Sequence, residues 1–263
     1  MATSTAPVIL ISAGSAGLGA AAARLFSRQG YRVVINYSSN AQRANDLLAE
    51  LAEMSPLPAP SGIESAPGQA GFAAVRADLA RRDDIVGLVD EAVRRMGRLD
   101  VVFSNGGWTR IRDMTSIDDN AFEEDWDRCF NMNVKAHLWL MHAARKHLDE
   151  TEGSFITTAS LAGVSHSGSS LAYSVTKAAQ IHLVKALASM AAPKIRVNSV
   201  SPGLLLTEWG DRFSDEAKEG HKEKTKLKRL PSVDDVAEQV LVFAKSRSQT
   251  GTNAIIDAGF LLQ

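Results

Sequence analysis

Short apolar runs alternate with longer amphipathic stretches along almost the whole chain, and this rhythm restricts the fold more than any other feature. The runs are rich in valine and isoleucine and are apolar at consecutive positions, which is typical of strands covered on both faces. The predicted strands are Val8–Ile11, Arg32–Ile35, Phe72–Val75, Val101–Phe103, Phe155–Thr158, Arg196–Val200 and Ala254–Ile256. The predicted helices between them are Leu18–Gln29, Ala41–Met54, Asp83–Met96, Phe122–His147, Leu171–Met190 and Val233–Lys245. The alternation predicts an α/β fold with a doubly wound parallel sheet of about seven strands flanked by helices, whose ligands bind beyond the carboxyl ends of the strands.

Two segments interrupt this rhythm without ending it. Residues 55–71 are rich in proline and glycine, so we predict a surface loop insertion there. Residues 204–229 contain a stretch dense in lysine and glutamate, which predicts either a solvated helix face or a flap over the active site. Because the alternation resumes after each segment, we interpret residues 1–263 as one domain.

The composition excludes several classes of partner. The formal net charge is −1, so no basic surface is expected to attract nucleic acid or an anionic membrane. Residues 1–7 lack the pattern of a secretory signal, and the sequence has no apolar run of about 18 residues, so we predict a cytoplasmic protein without a membrane segment. The single cysteine, Cys129, excludes an internal disulfide and a cysteine-rich zinc site.

Three histidines recur every five residues within the helix predicted over Phe122–His147. His137, His142 and His147 would therefore spread around that helix, which cannot gather them on one metal ion. We predict no metal site, and we expect these histidines at the surface or at an interface.

A glycine-rich turn follows the first predicted strand and leads directly into an alanine-rich helix. Small residues there would let the backbone approach a pyrophosphate, and the helix N-terminus would offer it free N–H groups. The residues of this turn that we predict to bind a dinucleotide are Ser12, Gly14, Ser15, Gly17, Leu18 and Gly19. Since Ala13 resists a positive φ, we expect Gly14 to adopt the unusual backbone conformation of the turn.

The end of the second predicted strand indicates which dinucleotide is bound. NAD-binding sites usually carry Asp or Glu about 20 residues after the glycine-rich turn, where the carboxylate binds the ribose 2′-hydroxyl. This chain has Asn36, Tyr37 and Ser38 there, and none of them would repel a 2′-phosphate. We therefore favour NADP(H) over NAD(H), with a plain polar turn as the alternative interpretation. The residues expected to complete the adenosine side of the site are Asp78, Leu79, Asn105, Gly106 and Gly107.

A tyrosine and a lysine stand four residues apart at the start of the helix predicted over Leu171–Met190. Tyr173 and Lys177 would project from one helix face, and an ammonium beside a phenol favours the phenolate. We therefore expect the pKa of Tyr173 to lie below its usual value near 10, which suits a general acid and base at neutral pH. Ser160, which follows the fifth predicted strand, would bond the substrate oxygen where charge changes.

With these motifs in this order, the chain resembles the compact branch of the short-chain dehydrogenase/reductase family over nearly its whole length. The resemblance implies a Rossmann fold in which Tyr173 exchanges a proton with the substrate, Ser160 positions the substrate oxygen and Lys177 holds the nicotinamide ribose. It also implies that Asn133 supports a water chain to Lys177 and that the protein is a homodimer or homotetramer. The stretch resembling the family's nicotinamide-binding segment supplies Pro202, Gly203, Leu205 and Thr207.

On this resemblance we predict an oxidoreductase that uses NADPH to reduce a carbonyl to a secondary alcohol. NAD-dependent alcohol oxidation stays open, because Ala16 stands where NADP-dependent members often carry Arg or Lys. The alternative of another class is a sensor that binds the dinucleotide without turnover, or a non-redox enzyme on the same scaffold. The presence of Ser160, Tyr173 and Lys177 together argues against that alternative.

The substrate pocket is expected between residues 108–112, 165–170 and 204–229, whose shape is not specified by local sequence pattern. Trp108 and Trp209 lie in or beside these segments, and they either pack inside the protein or line the pocket. The expected substrate is a small carbonyl compound or alcohol.

Overall fold

The predicted doubly wound sheet is confirmed in the computed structural model, which describes residues 6–57, 70–208, 210 and 213–262. The strands are β1 (Val8–Ile11), β2 (Arg32–Tyr37), β3 (Phe72–Arg76), β4 (Val101–Ser104), β5 (Ser154–Thr158), β6 (Arg196–Pro202) and β7 (Asn253–Ile256). All are parallel, in the order β3-β2-β1-β4-β5-β6-β7. The order reverses between β1 and β4, and the crevice outside such a reversal is where open α/β sheets bind ligands.

Helices cover both faces of the sheet. They are α1 (Gly17–Arg28), α2 (Ala41–Met54), α3 (Arg82–Met96), α4 (Glu123–Phe130), α5 (Ala136–Thr151), α6 (Leu171–Ala191), α7 (Asp215–Lys224) and α8 (Val233–Lys245). Strand side chains alternate between the faces. On β1, Ile9 packs with residues of α1, α2 and α8, whereas Leu10 packs with residues of α3, α5 and α6. Continuous apolar strands therefore fill two separate cores.

One predicted helix is interrupted. A single helix over Phe122–His147 is wrong, because a π-helical turn, Asn131–Lys135, separates α4 from α5 and α5 continues to Thr151. Turns of this kind add a residue to a helix and often lie at functional sites. Here the π-helical turn contains Asn133, whose side chain accepts a hydrogen bond from the Trp108 N–H and donates one to the Trp108 carbonyl.

The two irregular segments differ in what the structure describes. Residues 58–69 of the predicted loop lie outside the described residues. In the lysine-rich segment, α7 has no buried residue, which agrees with a solvated helix face. A flap over the site stays a prediction. Within the described ranges, no helix combines the length and the hydropathy that a membrane crossing requires.

Candidate active site

The turn between β1 and α1 leaves a helix N-terminus open to an anion. Ala16 is the N-cap of α1 and makes no side-chain cap, and the first turn of α1 holds no acidic residue. The first backbone N–H groups of a helix have no partner within the helix, and its dipole places partial positive charge at that end. The turn can therefore receive a phosphate group.

The positive φ angles of this turn lie at Ala13 and Gly17, so the expectation for Gly14 is wrong. Ala13 has a φ of +48°. The conformation is held from both sides, because the Ala13 N–H donates to Asn36 Oδ1 at 3.0 Å and its carbonyl accepts from Asn105 Nδ2 at 3.4 Å. Gly14 is needed for space instead, since a Cβ there would lie 2.8 Å from the Ile11 carbonyl oxygen.

Several residues predicted to touch the dinucleotide are occupied inside the protein. Asn36 is buried, and its amide donates to the Ala77 carbonyl at 3.0 Å while its oxygen holds Ala13. Ser12 is buried too, and its hydroxyl accepts from the backbone N–H groups of Asn105 and Gly106. Both side chains brace the turn against the ends of neighbouring strands, and a direct contact with a dinucleotide stays a prediction for each.

Other predicted residues surround a cavity of about 630 Å³ at the carboxyl edge of the sheet. The predicted residues on its wall are Gly17, Leu18, Asn105, Gly107, Ser160, Tyr173, Lys177, Pro202, Gly203, Leu205 and Thr207. Those away from that wall are Ser12, Gly14, Ser15, Gly19, Asn36, Tyr37, Ser38, Asp78, Leu79, Gly106 and Asn133. The carboxylate of Asp78 accepts from the Ala80 N–H, and Leu79 occupies the space that a side chain on Gly106 would need.

Tyr173 and Ser160 meet on the wall of this cavity. The Ser170 hydroxyl caps α6 by accepting from the Tyr173 N–H at 3.2 Å, which stabilises a helix start at Leu171. Both side chains line the cavity, and the Ser160 hydroxyl lies close enough to Tyr173 to oppose the rise in the pKa of its phenol. Lys177, one turn further along α6, lies with its Nζ 5.6 Å from the centre of the Tyr173 ring. The three predicted side chains therefore converge.

Lys177 is held by partners that the sequence reasoning missed. Its Nζ donates to the Thr158 carbonyl at 2.8 Å and to Gln180 Oε1 at 2.9 Å, and Gln180 Nε2 donates to the same carbonyl. Lys177 and Gln180 are both buried. An ammonium has three N–H donors, so these bonds leave one for the cavity that Lys177 lines. The signal that could have found Gln180 is a polar residue three positions after Lys177 on an apolar helix.

The pKa of Tyr173 shifts opposite to the sequence expectation, and the pKa of Lys177 shifts as well. Burial raises the pKa of Tyr173 to about 12, although the hydrogen bond from Ser160 opposes the rise. Burial lowers the pKa of Lys177 to about 7. A lowered Tyr173 pKa is therefore wrong for the protein itself, because loss of solvation outweighs the opposing effect of Ser160.

Asn133 borders the same space as Lys177. Its Oδ1 accepts from the Trp108 N–H at 2.8 Å, and its Nδ2 donates to the Trp108 carbonyl and to Thr176 Oγ1. A Cβ placed on Gly107 would lie 3.2 Å from Asn133 Oδ1 and 3.5 Å from Lys177 Nζ. Glycine at position 107 therefore leaves a gap between the two groups, and a water chain through it stays a prediction.

The surface position expected for His137 is wrong. His137 is 1% exposed, its Nδ1 lies 2.6 Å from Ser104 Oγ, and burial lowers its pKa to about 3. Trp108 is half-buried, with the Arg128 guanidinium 4.6 Å from its ring centre, and it is not among the described residues that line the cavity. Trp209 lies outside the described residues.

Comparison with known proteins identifies the family. Residues 12–261 match the family described as Enoyl-(Acyl carrier protein) reductase. A short chain dehydrogenase from Burkholderia cenocepacia, solved in complex with NADP, superposes with a TM-score of 0.84 at 29% identity, covering 97% of this chain and 98% of that one. The chain belongs to the short-chain dehydrogenase/reductase family. It is accordingly an NAD(P)-dependent enzyme of that family.

Relatives in the short-chain dehydrogenase/reductase family include proteins named as dehydrogenases and proteins named as reductases. Secoisolariciresinol dehydrogenase from Forsythia intermedia is 32% identical over 263 residues, which is 96% of this chain and 88% of the relative. The 3-oxoacyl-(acyl-carrier-protein) reductase FabG from Staphylococcus aureus is 27% identical over 257 residues, which is 96% of this chain and 97% of the relative.

The cleft of this short-chain dehydrogenase/reductase fits a nicotinamide dinucleotide. The open N-terminus of α1 suits the pyrophosphate, and a Cβ on Gly17 would lie 3.3 Å from Thr207, so the turn and the segment after β6 face each other closely. Lys177 and Tyr173 would hold the nicotinamide ribose side, where the dinucleotide supplies or accepts a hydride.

Proposed function

We propose that this enzyme reduces a carbonyl compound to a secondary alcohol with NADPH. The observation that carries the proposal is that Ser160 and Tyr173 lie together on the wall of the cavity that also contains Gly17 and Thr207. Because the pKa of Tyr173 is raised to about 12, its phenol keeps its proton at neutral pH and is suited to donate it. Reduction needs that proton, whereas oxidation needs the phenolate.

Each of the three side chains has a distinct task in this proposal. Tyr173 gives its proton to the carbonyl oxygen while the hydride reaches the carbonyl carbon. Ser160 donates a hydrogen bond to the same oxygen, where negative charge develops. Lys177 uses the N–H that is not engaged by Thr158 and Gln180 to bind the ribose.

The preference for NADPH is supported by the surroundings of the β2 end. Ser38 is exposed, and Arg76 Nε donates to its carbonyl at 3.1 Å, which places a guanidinium beside it. Arg43, at the start of α2, lines a second cavity together with Ser15 of the glycine-rich turn. Guanidinium groups bind phosphate oxygens well, and a 2′-phosphate is what distinguishes NADPH from NADH.

Turnover of a ketone panel tests the proposed reaction. We expect the purified protein to consume NADPH in the presence of ketones, and to form the matching secondary alcohols in equal amount. NADPH that binds with no alcohol formed from any ketone would favour the dinucleotide sensor instead.

A charge placed at Ser38 tests the cofactor choice. Ser38→Asp puts a carboxylate beside the expected 2′-phosphate, so the ratio of the NADH to the NADPH dissociation constant should fall. Ser38→Asn is the matched control, because it adds similar volume without charge. An unchanged ratio in Ser38→Asp would contradict the preference.

NAD-dependent alcohol oxidation is the second candidate, and the dehydrogenase relative from Forsythia intermedia favours it. Oxidation requires the Tyr173 phenolate, so its rate should climb with pH toward the Tyr173 pKa of about 12. A rate of alcohol oxidation with NAD above that of ketone reduction with NADPH, measured at neutral pH, would replace the proposed direction by this one.

A homodimer or homotetramer is the proposed assembly. Apolar side chains are exposed on or beside two neighbouring helices, namely Phe122 and Phe130 at the ends of α4, and Leu171 and Val175 on α6. Covering these side chains removes apolar surface from water. Light scattering should therefore give a multiple of the 28.2 kDa chain mass.

A further inference from the structure

One face of α7 looks onto the active-site cavity, although no residue of the helix is buried. Ala217, His221 and Lys224 are spaced four and three residues apart on α7, so they share a face, and Phe213 stands just before the helix. All four line the cavity that contains Tyr173. No residue of this face is buried by the rest of the described chain. The cavity in front of the face also contains Tyr173, so a substrate must bind there.

The lysines of α7 differ in their partners. Lys218 lies 3.3 Å from Asp215, and Lys222 lies 2.8 Å from Glu219, so each has a carboxylate about one turn away on the outer surface. Lys224 lines the cavity and has no ion pair or hydrogen bond with any residue in the described ranges. Its ammonium is therefore available to a ligand.

The charge at this end of the cavity is positive. Glu208 is the acidic residue among the described residues that line the cavity, and its carboxylate is already paired with Arg43 at 2.5 Å. Burial and the nearby Lys224 hold the pKa of His221 below its ordinary value, although the Asp257 carboxylate opposes the shift. Lys224 thus supplies a positive charge that no neighbouring acid in the described lining cancels.

The rest of this wall is apolar and partly flat. The His221 ring stacks on the Phe260 ring, with centroids 4.1 Å apart and planes 12° from parallel. Leu161, Leu204 and Phe213 line the same cavity. An apolar body would cover these side chains, and a negatively charged group would pair with Lys224.

We propose that Lys224 is a substrate-binding residue and that the substrates are ketones with an apolar body and an anionic oxygen group. The inference rests on the proposed carbonyl reduction and names its substrate class. The anionic group is a carboxylate of the substrate or a phosphate of a carrier attached to it. Lys224 binds this group equally in the ground and transition states, so it acts on KM rather than on kcat.

Paired substrates test the inference. A keto acid and its methyl ester differ in charge alone, and we expect the ester to have a KM about tenfold higher or more, as loss of one charged hydrogen bond predicts. Lys224→Met should raise the KM of the acid to that of the ester, with the ester and both kcat values little changed. Lys222→Met is the matched control, since Lys222 stands on the same helix with its own carboxylate, and it should behave as the wild type.

A second pair of substrates distinguishes the sources of the anion. A 3-oxoacyl coenzyme A thioester carries phosphates, whereas the same acyl group on N-acetylcysteamine carries none. A Lys224-dependent preference within this pair, without one between acid and ester, assigns the site to a carrier phosphate. Equal KM values within both pairs, or a Lys224→Met effect of equal size on charged and neutral substrates, would overturn the inference.

Binding separates this inference from the proposed reaction. Calorimetric titration of the NADP⁺-loaded protein with a hydroxy acid and its methyl ester needs no turnover. Tighter binding of the acid that disappears in Lys224→Met supports the anion site even if no ketone is reduced, and equal binding of both contradicts it. Turnover of the neutral ester reports on the proposed reaction alone.

Discussion

The two walls of the cleft are built in different ways. On the cofactor side, the turn after β1 is fixed by buried side chains, with Asn36 and Ser12 bonding the backbone of the turn and of the β4 end. On the substrate side, α7 has no buried residue, and its inner face meets the cavity. The first wall is held by buried hydrogen bonds, whereas the second presents a helix without a buried residue to the cavity.

This difference separates what each wall controls. The cofactor wall and the Ser160–Tyr173 pair determine whether any substrate reacts, because every reaction passes through the same hydride and proton transfer. The substrate wall determines which compound binds. Substitutions on the first wall should therefore act on all substrates alike, and those on the second should act on some.

Removal of the Tyr173 hydroxyl should have the largest effect. Tyr173→Phe removes the proton donor without changing the ring, so kcat should fall by roughly 10²–10⁴ for acid and ester substrates equally. The NADPH dissociation constant should stay close to that of the wild type. Near-normal turnover, or a loss confined to charged substrates, would break the division between the two walls.

One substitution type applied to both walls should give opposite signs of stability change. A Cβ on Gly19 would lie 2.3 Å from the Ala13 carbonyl oxygen, so Gly19→Ala should destabilise the protein by about 1–3 kcal/mol and weaken NADPH binding. A Cβ on Gly220 of α7 meets nothing within 4 Å, so Gly220→Ala should stabilise the helix by about 0.5–1 kcal/mol. Denaturant unfolding measures both changes, and equal changes would show that the walls are built alike.

Gln180 should control the charge of Lys177 and thereby the pH dependence of the reaction. Its Oε1 accepts from the ammonium, which favours the charged form. Gln180→Leu should lower the Lys177 pKa below its value of about 7, and since the ammonium exists below that pKa, the fall of kcat/KM at rising pH should begin at lower pH.

A substitution expected to shift the pH profile in the opposite direction gives the control. Gln180→Glu keeps the acceptor and adds negative charge, so the same limb of the pH profile should move to higher pH. A role limited to packing would leave the profile in place for both variants and lower the rate at all pH values alike.

Local sequence pattern carries more information about the cofactor wall than about the substrate wall, and the reason is physical. Strands such as β1 are buried on both faces, and their apolar runs are written at consecutive positions. The turn, Tyr173 and Lys177 depend on spacing within a few residues. Lys224, His221 and Phe260 meet around one cavity although they come from separate segments, and no local pattern records that meeting.

Errors within the predicted site came from burial, which spacing does not reveal. Spacing puts Tyr173 and Lys177 on one helix face, but the direction of the Tyr173 pKa shift depends on the solvent that the surrounding protein removes. His137 was expected at the surface for the same reason, although it packs against Ser104. Position 13 carries the positive φ because Asn36 and Asn105 hold it from the two strands beside β1, which are distant in sequence.

The smallest expected effect lies where the two walls touch. Glu208, in the segment after β6, pairs with Arg43 of α2 at 2.5 Å, with 75% and 39% of their side chains exposed. Exposed ion pairs contribute about 0–1 kcal/mol, so this contact is a weak link across the cleft. A 2′-phosphate that binds Arg43 must compete with the Glu208 carboxylate.

Removal of that competitor should tighten the binding of one dinucleotide only. Glu208→Gln frees Arg43 while keeping the side-chain size, so the NADPH dissociation constant should fall by about two- to fivefold, the range that a pair of this strength allows. The NADH dissociation constant should not change, because NADH has no 2′-phosphate, and the NADPH gain should shrink as salt screens the charges. An equal gain for both dinucleotides would mean that Glu208 limits access to the cleft as a whole, and that the substrate wall controls cofactor entry as well as substrate choice.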